Sequence, residues 1–149
     1  MFEWFGRVSF CPHTKVGGFT RHLREGRIMA SRCKSCGQES YPPRADCPDC
    51  MGDEFEYFEI SGEGTLLSFT RIEAAPAGFE KLAPFVIGVV ELKEVGRLLA
   101  CFGESVSEEE IRIGMSLQVV PRILDEVEEI RVYYSLEEAG SSWQKTNMY

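Results

Sequence analysis

RCKSCGQESYPPRADCPDC, residues 32–50, holds two CxxC pairs separated by ten residues. A CxxC turn presents two thiolates to one ion, and zinc favours four soft ligands at the corners of a tetrahedron. Cys33, Cys36, Cys47 and Cys50 are therefore expected to close one all-thiolate metal site. Gly37 permits a turn whose backbone N–H groups face the first pair of sulfurs, and Pro48 stiffens the second. With all four positions taken by sulfur, no place remains for water or substrate. The metal is then structural, holding a segment too small to have a core of its own. Iron in a rubredoxin-like centre is the alternative occupant of such a knuckle pair.

Upstream of the first pair, GGFTRHLREGRI (residues 17–28) reads as a short helix. Thr20 is the expected cap, and Gly26 the left-handed stop. Phe19 and Leu23, four apart, share a face suited to docking. The chain begins MFEWFGRVSF, with Phe2, Trp4, Phe5 and Phe10; this aromatic surface either packs on its own domain or inserts into a partner. It lacks the basic start and continuous apolar core of a signal peptide.

Downstream, the period changes to two. Residues 64–75, 84–93, 97–103, 116–123 and 128–136 read as strands, the last alternating Ile130, Val132, Tyr134 and Leu136 with Arg131 and Tyr133. The second is apolar on both faces, and Gly88 within it implies a bend or bulge where a barrel closes. Pro121 belongs near a strand end or edge, since it has no N–H for a ladder. Between the third and fourth strands, Ser107 caps a short helical insert opened by three glutamates. Five strands with one insert there match a Greek-key OB barrel. The expected fold is thus mainly β: an N-terminal helix, a four-cysteine zinc ribbon and a five-stranded OB-fold barrel. The expected divisions are residues 1–31, 32–58 and 59–137, with 138–149 as a flexible tail.

The net charge of −8 is unevenly spread. Residues 1–50 carry eight Lys/Arg against five Asp/Glu, and residues 51–149 carry eight against nineteen. So acidic a body argues against broad nucleic-acid binding, which depends on neutralising phosphates. An anion, if one binds, belongs near the metal clip. Composition (44% hydrophobic, 27% charged) is that of a globular chain, and no apolar run reaches the ~20 residues that span a bilayer. The expected location is the cytoplasm, where thiols stay reduced.

No catalytic constellation emerges: there is no Gly-rich phosphate loop, no GxSxG elbow and no HExxH. Cys11 and His13 in "CPH" lack the third group a nucleophile–base pair needs. Cys101, among Leu99, Ala100 and Phe102, reads as a small buried hydrophobe, and His22 as an exposed polar residue. The acidic runs EVEE and SEEE read as solvated faces.

The order of parts carries a resemblance. TRHLREGRIMASRCKSCG runs into the first claw and YPPRADCPDC forms the second; EISGEGTLLSFTRI then opens the barrel, and IRIGMSLQVV leads into its fourth strand. Over residues 17–136 the chain resembles the DUF35 family, acyl-CoA-associated OB-fold proteins with an N-terminal rubredoxin-like zinc ribbon. Residues 1–16 and the tail lie outside the pattern. The resemblance implies a non-catalytic accessory subunit beside a thiolase-fold enzyme that supplies the nucleophilic cysteine. Family members bridge acetoacetyl-CoA thiolase and hydroxymethylglutaryl-CoA synthase, or pair with an acyltransferase, a benzoylsuccinyl-CoA thiolase or a steroid side-chain aldolase. It further implies coenzyme A or acyl-CoA as a shared ligand. Arg44 in "YPPR" stands where the family keeps an arginine, with Arg24, Arg27 and Arg32 behind it. Phe2, Trp4 and Phe5, with the helix face of Phe19 and Leu23, are the expected partner contact. The rival readings are a single-stranded nucleic-acid-binding OB/zinc-ribbon protein and an iron redox protein.

Overall fold

The computed structural model describes residues 5–6, 13–124 and 131–142. Helix α1 (Gly18–Arg24) leads into a three-stranded antiparallel sheet of β1 (Met29–Cys33), β2 (Glu39–Ser40) and β3 (Phe55–Glu59), ordered β2-β1-β3. A five-stranded antiparallel sheet follows: β4 (Glu63–Ile72), β5 (Phe85–Leu92), β6 (Arg97–Cys101), β7 (Ser116–Leu124) and β8 (Arg131–Glu138), ordered β6-β5-β4-β7-β8. Its two ends meet where Phe102 forms a parallel bridge with Leu136 and the Gly103 N–H donates to the Leu136 carbonyl at 2.9 Å. That junction curls the sheet into the five-stranded OB barrel. No helix among the described residues is long and apolar enough to cross a membrane.

Helix α1 stops where expected, with Gly26 at φ 78°. Its start differs. Gly17 is the N-cap, and Thr20 lies inside the first turn, buried, its hydroxyl donating to the Gly17 carbonyl at 2.9 Å. The apolar stripe decides this: Phe19 must be helical to share a face with Leu23, so the helix begins ahead of the threonine. Both side chains are buried in the chain's own core, where α1 packs on β1 of the ribbon and on β7 and β8 of the barrel. They are thus not a free docking face; they are the joint between the two sheets. Phe19 lies 6.0 Å from Tyr41 and 6.3 Å from Tyr134, ring centre to ring centre. Phe5 adds to this cluster, 5.6 Å from Phe19 and 5.9 Å from Tyr134, while the Gly6 N–H donates to the Val132 carbonyl at 2.8 Å. Of the N-terminal aromatics, Phe5 therefore packs on its own domain; Phe2, Trp4, Phe10, Cys11 and Ile130 lie outside the described residues.

The barrel core is built from alternate strand positions: Leu66, Val90, Leu98, Leu117, Val119, Val132 and Leu136 point inward and are buried. The irregularity expected at Gly88 lies one strand away. Strand β4 shifts register between Leu66 and Ser68, whereas Gly88 pairs regularly with Phe69 and Ala100. Gly88 is needed for space: a Cβ there would stand 2.8 Å from Leu66 and 2.9 Å from Phe102. In β6 the alternation puts Leu98 and Ala100 inside and Leu99 and Cys101 outside. Cys101 is thus exposed, contrary to its sequence reading, because its parity is that of Leu99. Pro121 sits in β7 beyond the last residue paired to β4. The Val119 N–H donates toward β4, to Gly62, so the missing N–H two residues on falls where no strand needs it. The insert after β6 is one 3-10 turn, Glu108–Glu110, closed by a capping box between Ser107 and Glu110.

Near the seam lies a buried charge that the sequence did not reveal. Glu137 in β8 is 1% exposed and pairs with Arg122 of β7, Nη2 to Oε1 2.5 Å. Its carboxylate also accepts from the Ser135 hydroxyl at 2.5 Å, the Ser105 N–H at 3.1 Å and the Ser105 hydroxyl. Desolvation pushes this carboxyl up, but the Ser105 and Ser135 hydroxyls and the Arg122 guanidinium outweigh it and hold it below its ordinary value. Gly103 makes room, since a Cβ there would fall 1.8 Å from the carboxylate.

Candidate metal centre and ribbon cleft

Strand β1 delivers Cys33 as its last residue, and β3 begins opposite it at Phe55. Between them the chain makes two matching knuckles. In the first, the Gly37 N–H donates to the Cys33 carbonyl at 2.9 Å and the Cys33 N–H to the Gln38 carbonyl at 2.9 Å. In the second, the Met51 N–H donates to the Cys47 carbonyl at 3.0 Å and the Cys47 N–H to the Gly52 carbonyl at 2.8 Å. Gly37 at φ 79° and Met51 at φ 61° hold equivalent left-handed positions; only the first has the residue suited to it.

The two knuckles bring Cys33, Cys36, Cys47 and Cys50 together, with all four sulfurs within 4.8 Å of one another. Cys33 and Cys50 are 3.6 Å apart, Cys36 and Cys47 3.5 Å, sulfur to sulfur. A tetrahedron of thiolates about 2.3 Å from a central zinc sets its sulfurs about 3.8 Å apart, whereas a disulfide needs about 2.05 Å. The donors therefore fit one ion. Electrostatics agree. The Cys36 N–H pulls the Cys33 thiol down to about 7, against burial and with help from Ser35. The Gln38 N–H pulls at Cys36, but the Cys50 and Cys47 thiols outweigh it and hold that thiol up at about 12. The cluster accepts one negative charge readily and resists the next, a conflict that a bound dication removes. Zinc here would be held by four thiolates as a structural clamp.

Beside the knuckles is a cleft of 360 Å³ whose lining includes Lys15, Ser31, Lys34, Arg44, Asp53 and Tyr57. Arg44 stands on the loop entering the second knuckle, and its N–H donates to the Ser31 hydroxyl of β1 at 3.3 Å. Its guanidinium is exposed and meets no carboxylate among the described residues. The other cations nearby are engaged: Lys15 with Asp53 at 3.0 Å and Asp46 at 3.6 Å, Lys34 with Glu54 at 3.8 Å.

Arg24, Arg27 and Arg32 do not line this cleft. Arg32 bridges Glu39 at 2.8 Å and Glu56 at 3.0 Å and lies over the Phe58 ring at 4.6 Å. Arg27 binds Glu25 at 2.5 Å and meets His22 Nδ1 at 2.9 Å, and Arg24 is on the exposed face of α1. His22 is not the exposed residue expected: its ring packs edge-on against Tyr57, centroids 5.2 Å apart, and desolvation, then Arg27, lowers its pKa. Lys34 is signalled in the sequence by its place within the first CxxC. Lys15 precedes any recognisable pattern and reaches the cleft only through the fold.

A four-thiolate ribbon set ahead of a five-stranded OB barrel defines a zinc-ribbon/OB-fold protein. Residues 20–56 match the family described as "ChsH2, rubredoxin-like zinc ribbon domain", and residues 57–122 match "ChsH2, C-terminal OB-fold domain". The chain is 37% identical over 108 residues to a DUF35 domain-containing scaffold protein of Methanocaldococcus jannaschii, covering 71% of this chain and 76% of the relative. The chain belongs to the DUF35 family. It is also 39% identical over 73 residues to benzoylsuccinyl-CoA thiolase subunit BbsA of Thauera aromatica, spanning 49% of each. A solved structure described as "Ltp2-ChsH2(DUF35) aldolase" shares the fold: TM-score 0.68 at 23% identity, covering 87% of this chain and 99% of that one.

Proposed function

We propose that this chain is a non-catalytic subunit that docks on a thiolase-fold acyl-CoA enzyme and helps it hold the nucleotide end of coenzyme A. The likeness to a thiolase subunit and to scaffold proteins carries the accessory role. The chemistry of the described residues is consistent with it. Among the described residues His22 is packed on Tyr57 and the ribbon cysteines are arranged to hold an ion, so the reading assigns the nucleophile and acid–base groups to the partner.

The finer part rests on Arg44. Coenzyme A is long and polyanionic, with its phosphates near the enzyme surface while the thioester reaches inward. A planar guanidinium with no carboxylate partner, at the mouth of a cleft and on a metal-stiffened loop, suits charge-assisted, bidentate contact to a phosphate. The nucleic-acid alternative has less support: Arg71 of β4 is bound to Glu73 and Glu108, and the barrel half of the chain is strongly acidic. The test is Arg44→Ala in the assembled complex. Losing one charged hydrogen-bonding group should raise the KM for acyl-CoA about tenfold or more, with kcat and complex assembly unchanged. An unaltered KM and coenzyme A affinity would reject the assignment.

A further inference from the structure

The strand FVIGVVEL (β5) has the composition of a strand buried on both faces, yet only one of its faces enters the core. Val86, Gly88, Val90 and Leu92 point inward and are buried; Phe85, Ile87 and Val89 point outward and are only partly covered. The register extends this outer face. Val89 lies opposite Leu99, and Ile87 opposite Cys101, both on β6, and Leu99 is 59% exposed. On the other side Ile72 of β4 lies opposite Phe85. Across three strands these six residues form one contiguous apolar face, half-buried except at Leu99 and Cys101, which are exposed. Along Arg97–Cys101, among the described residues, β6 is laddered to β5 only, so the face runs to that strand's outer side just ahead of the Phe102–Leu136 seam. In an OB barrel the second and third strands carry the usual ligand face, and β5 and β6 hold those places here.

We infer that the outer face of β5 and β6 is the docking surface for the catalytic subunit, a separate polypeptide offering an apolar patch rimmed by Lys and Arg; this rests on the accessory role proposed above. The charges select the occupant. Nucleic acid needs cations interleaved with stacking rings, and among the described residues the cations bordering this face, Arg97 and Lys93, are paired with Glu91 and Glu63. A second copy of this chain would bring residues 51–149, with nineteen Asp/Glu against eight Lys/Arg, up against the same excess. A partner with a basic rim meets the net negative charge of residues 51–149 instead.

The test places a photo-crosslinking side chain at Leu99, and separately at Ala45 beside the ribbon cleft, in the full chain expressed in its native cells. Adducts are identified by mass spectrometry. A thiolase-fold polypeptide captured from Leu99 is the expected result. Leu99→Glu should then weaken binding to that purified polypeptide at least about tenfold, with zinc content and thermal midpoint unchanged. A Leu99 adduct with a second copy of the chain overturns the inference, as does capture of the thiolase-fold partner from Ala45 with none from Leu99; the accessory role survives the latter. Capture only of proteins unrelated to thiolases from both positions overturns the accessory role too.

Discussion

Arg122→Met should destabilise the barrel by about 3 kcal/mol at neutral pH, and the loss should depend on pH. Glu137 is 1% exposed and the Arg122 side chain 27% exposed, so the pair is buried at the carboxylate and partly wet at the guanidinium. Removing one member of a buried pair costs about 3–5 kcal/mol, mostly from stranding the other charge. The low end applies because Ser135 and Ser105 still donate to the carboxylate when arginine is gone. Against a total stability of about 5–15 kcal/mol this is a large fraction. With a urea m-value near 2 kcal/mol/M, the unfolding midpoint should fall by about 1.5 M.

The sign of the pH effect follows from the direction of the shift. In the native protein the Glu137 carboxyl lies below its ordinary value, so its contribution is full above the unfolded carboxyl's pKa and is lost as pH falls through the folded one. Without Arg122, desolvation opposes fewer donors and the carboxyl rises, so the variant binds its proton earlier and recovers stability relative to the native protein as pH drops. Urea titrations followed by circular dichroism at pH 7 and pH 5, on zinc-loaded protein, should show the gap narrowing. A loss below about 1 kcal/mol at pH 7, or a gap independent of pH, would refute the view that the cluster is a charged closure of the barrel seam.

Three further outcomes are expected. Stripping the metal with a chelator should abolish amide protection in β1 and the knuckles, because a four-thiolate site supplies the folding energy of a segment this small; cobalt(II) added back should give a tetrahedral thiolate spectrum, and a spectrum with a water ligand would contradict the closed site. Tyr41→Phe should raise stability by about 1 kcal/mol, a midpoint shift of about 2–4 °C, because its hydroxyl is buried with no hydrogen-bond partner among the described residues; a loss of stability would reveal a partner for it. Met51→Gly should stabilise the ribbon by about 1 kcal/mol in urea unfolding, since a side chain 79% exposed loses little packing while φ 61° suits glycine; a destabilised variant would mean that Met51 packs on the ribbon.

What could be read in the sequence was what is encoded over a few residues. A CxxC pair encodes its own turn, so the four ligands needed only their spacing. Period-two alternation placed all five barrel strands, and Gly26 marked the end of α1. Errors arose where one residue's parity or a distant partner decides. Cys101 was read by its apolar neighbours, but in a strand the residues two away share its face, and Leu99 is outside. Thr20 satisfies a cap rule locally and loses to the burial of Phe19. The bond from Lys15 to Asp53 spans 38 residues, that from Ser105 to Glu137 spans 32, and no local pattern announces either. The outward row on β5 was visible as a strand apolar on both faces, but which face stays bare depends on the register with β4 and β6.

Helix α1 explains how one short chain could serve a partner at two places. A ribbon tethered to its barrel by a flexible segment would have to be ordered at each binding event, and the entropy lost would come out of the affinity. Here Phe19 and Leu23 seat the helix on β1, β7 and β8 together, and Tyr41, the first residue of the YPPR loop, joins the same aromatic cluster. Ser31 of β1 holds the backbone of Arg44, and the knuckles fix the far end of that loop. A partner seated on the outer face of β5 and β6 would thereby find the guanidinium already placed. Under the proposed function the metal would act indirectly, keeping Arg44 at a fixed distance from the docking face, so losing zinc should impair coenzyme A binding before it impairs assembly.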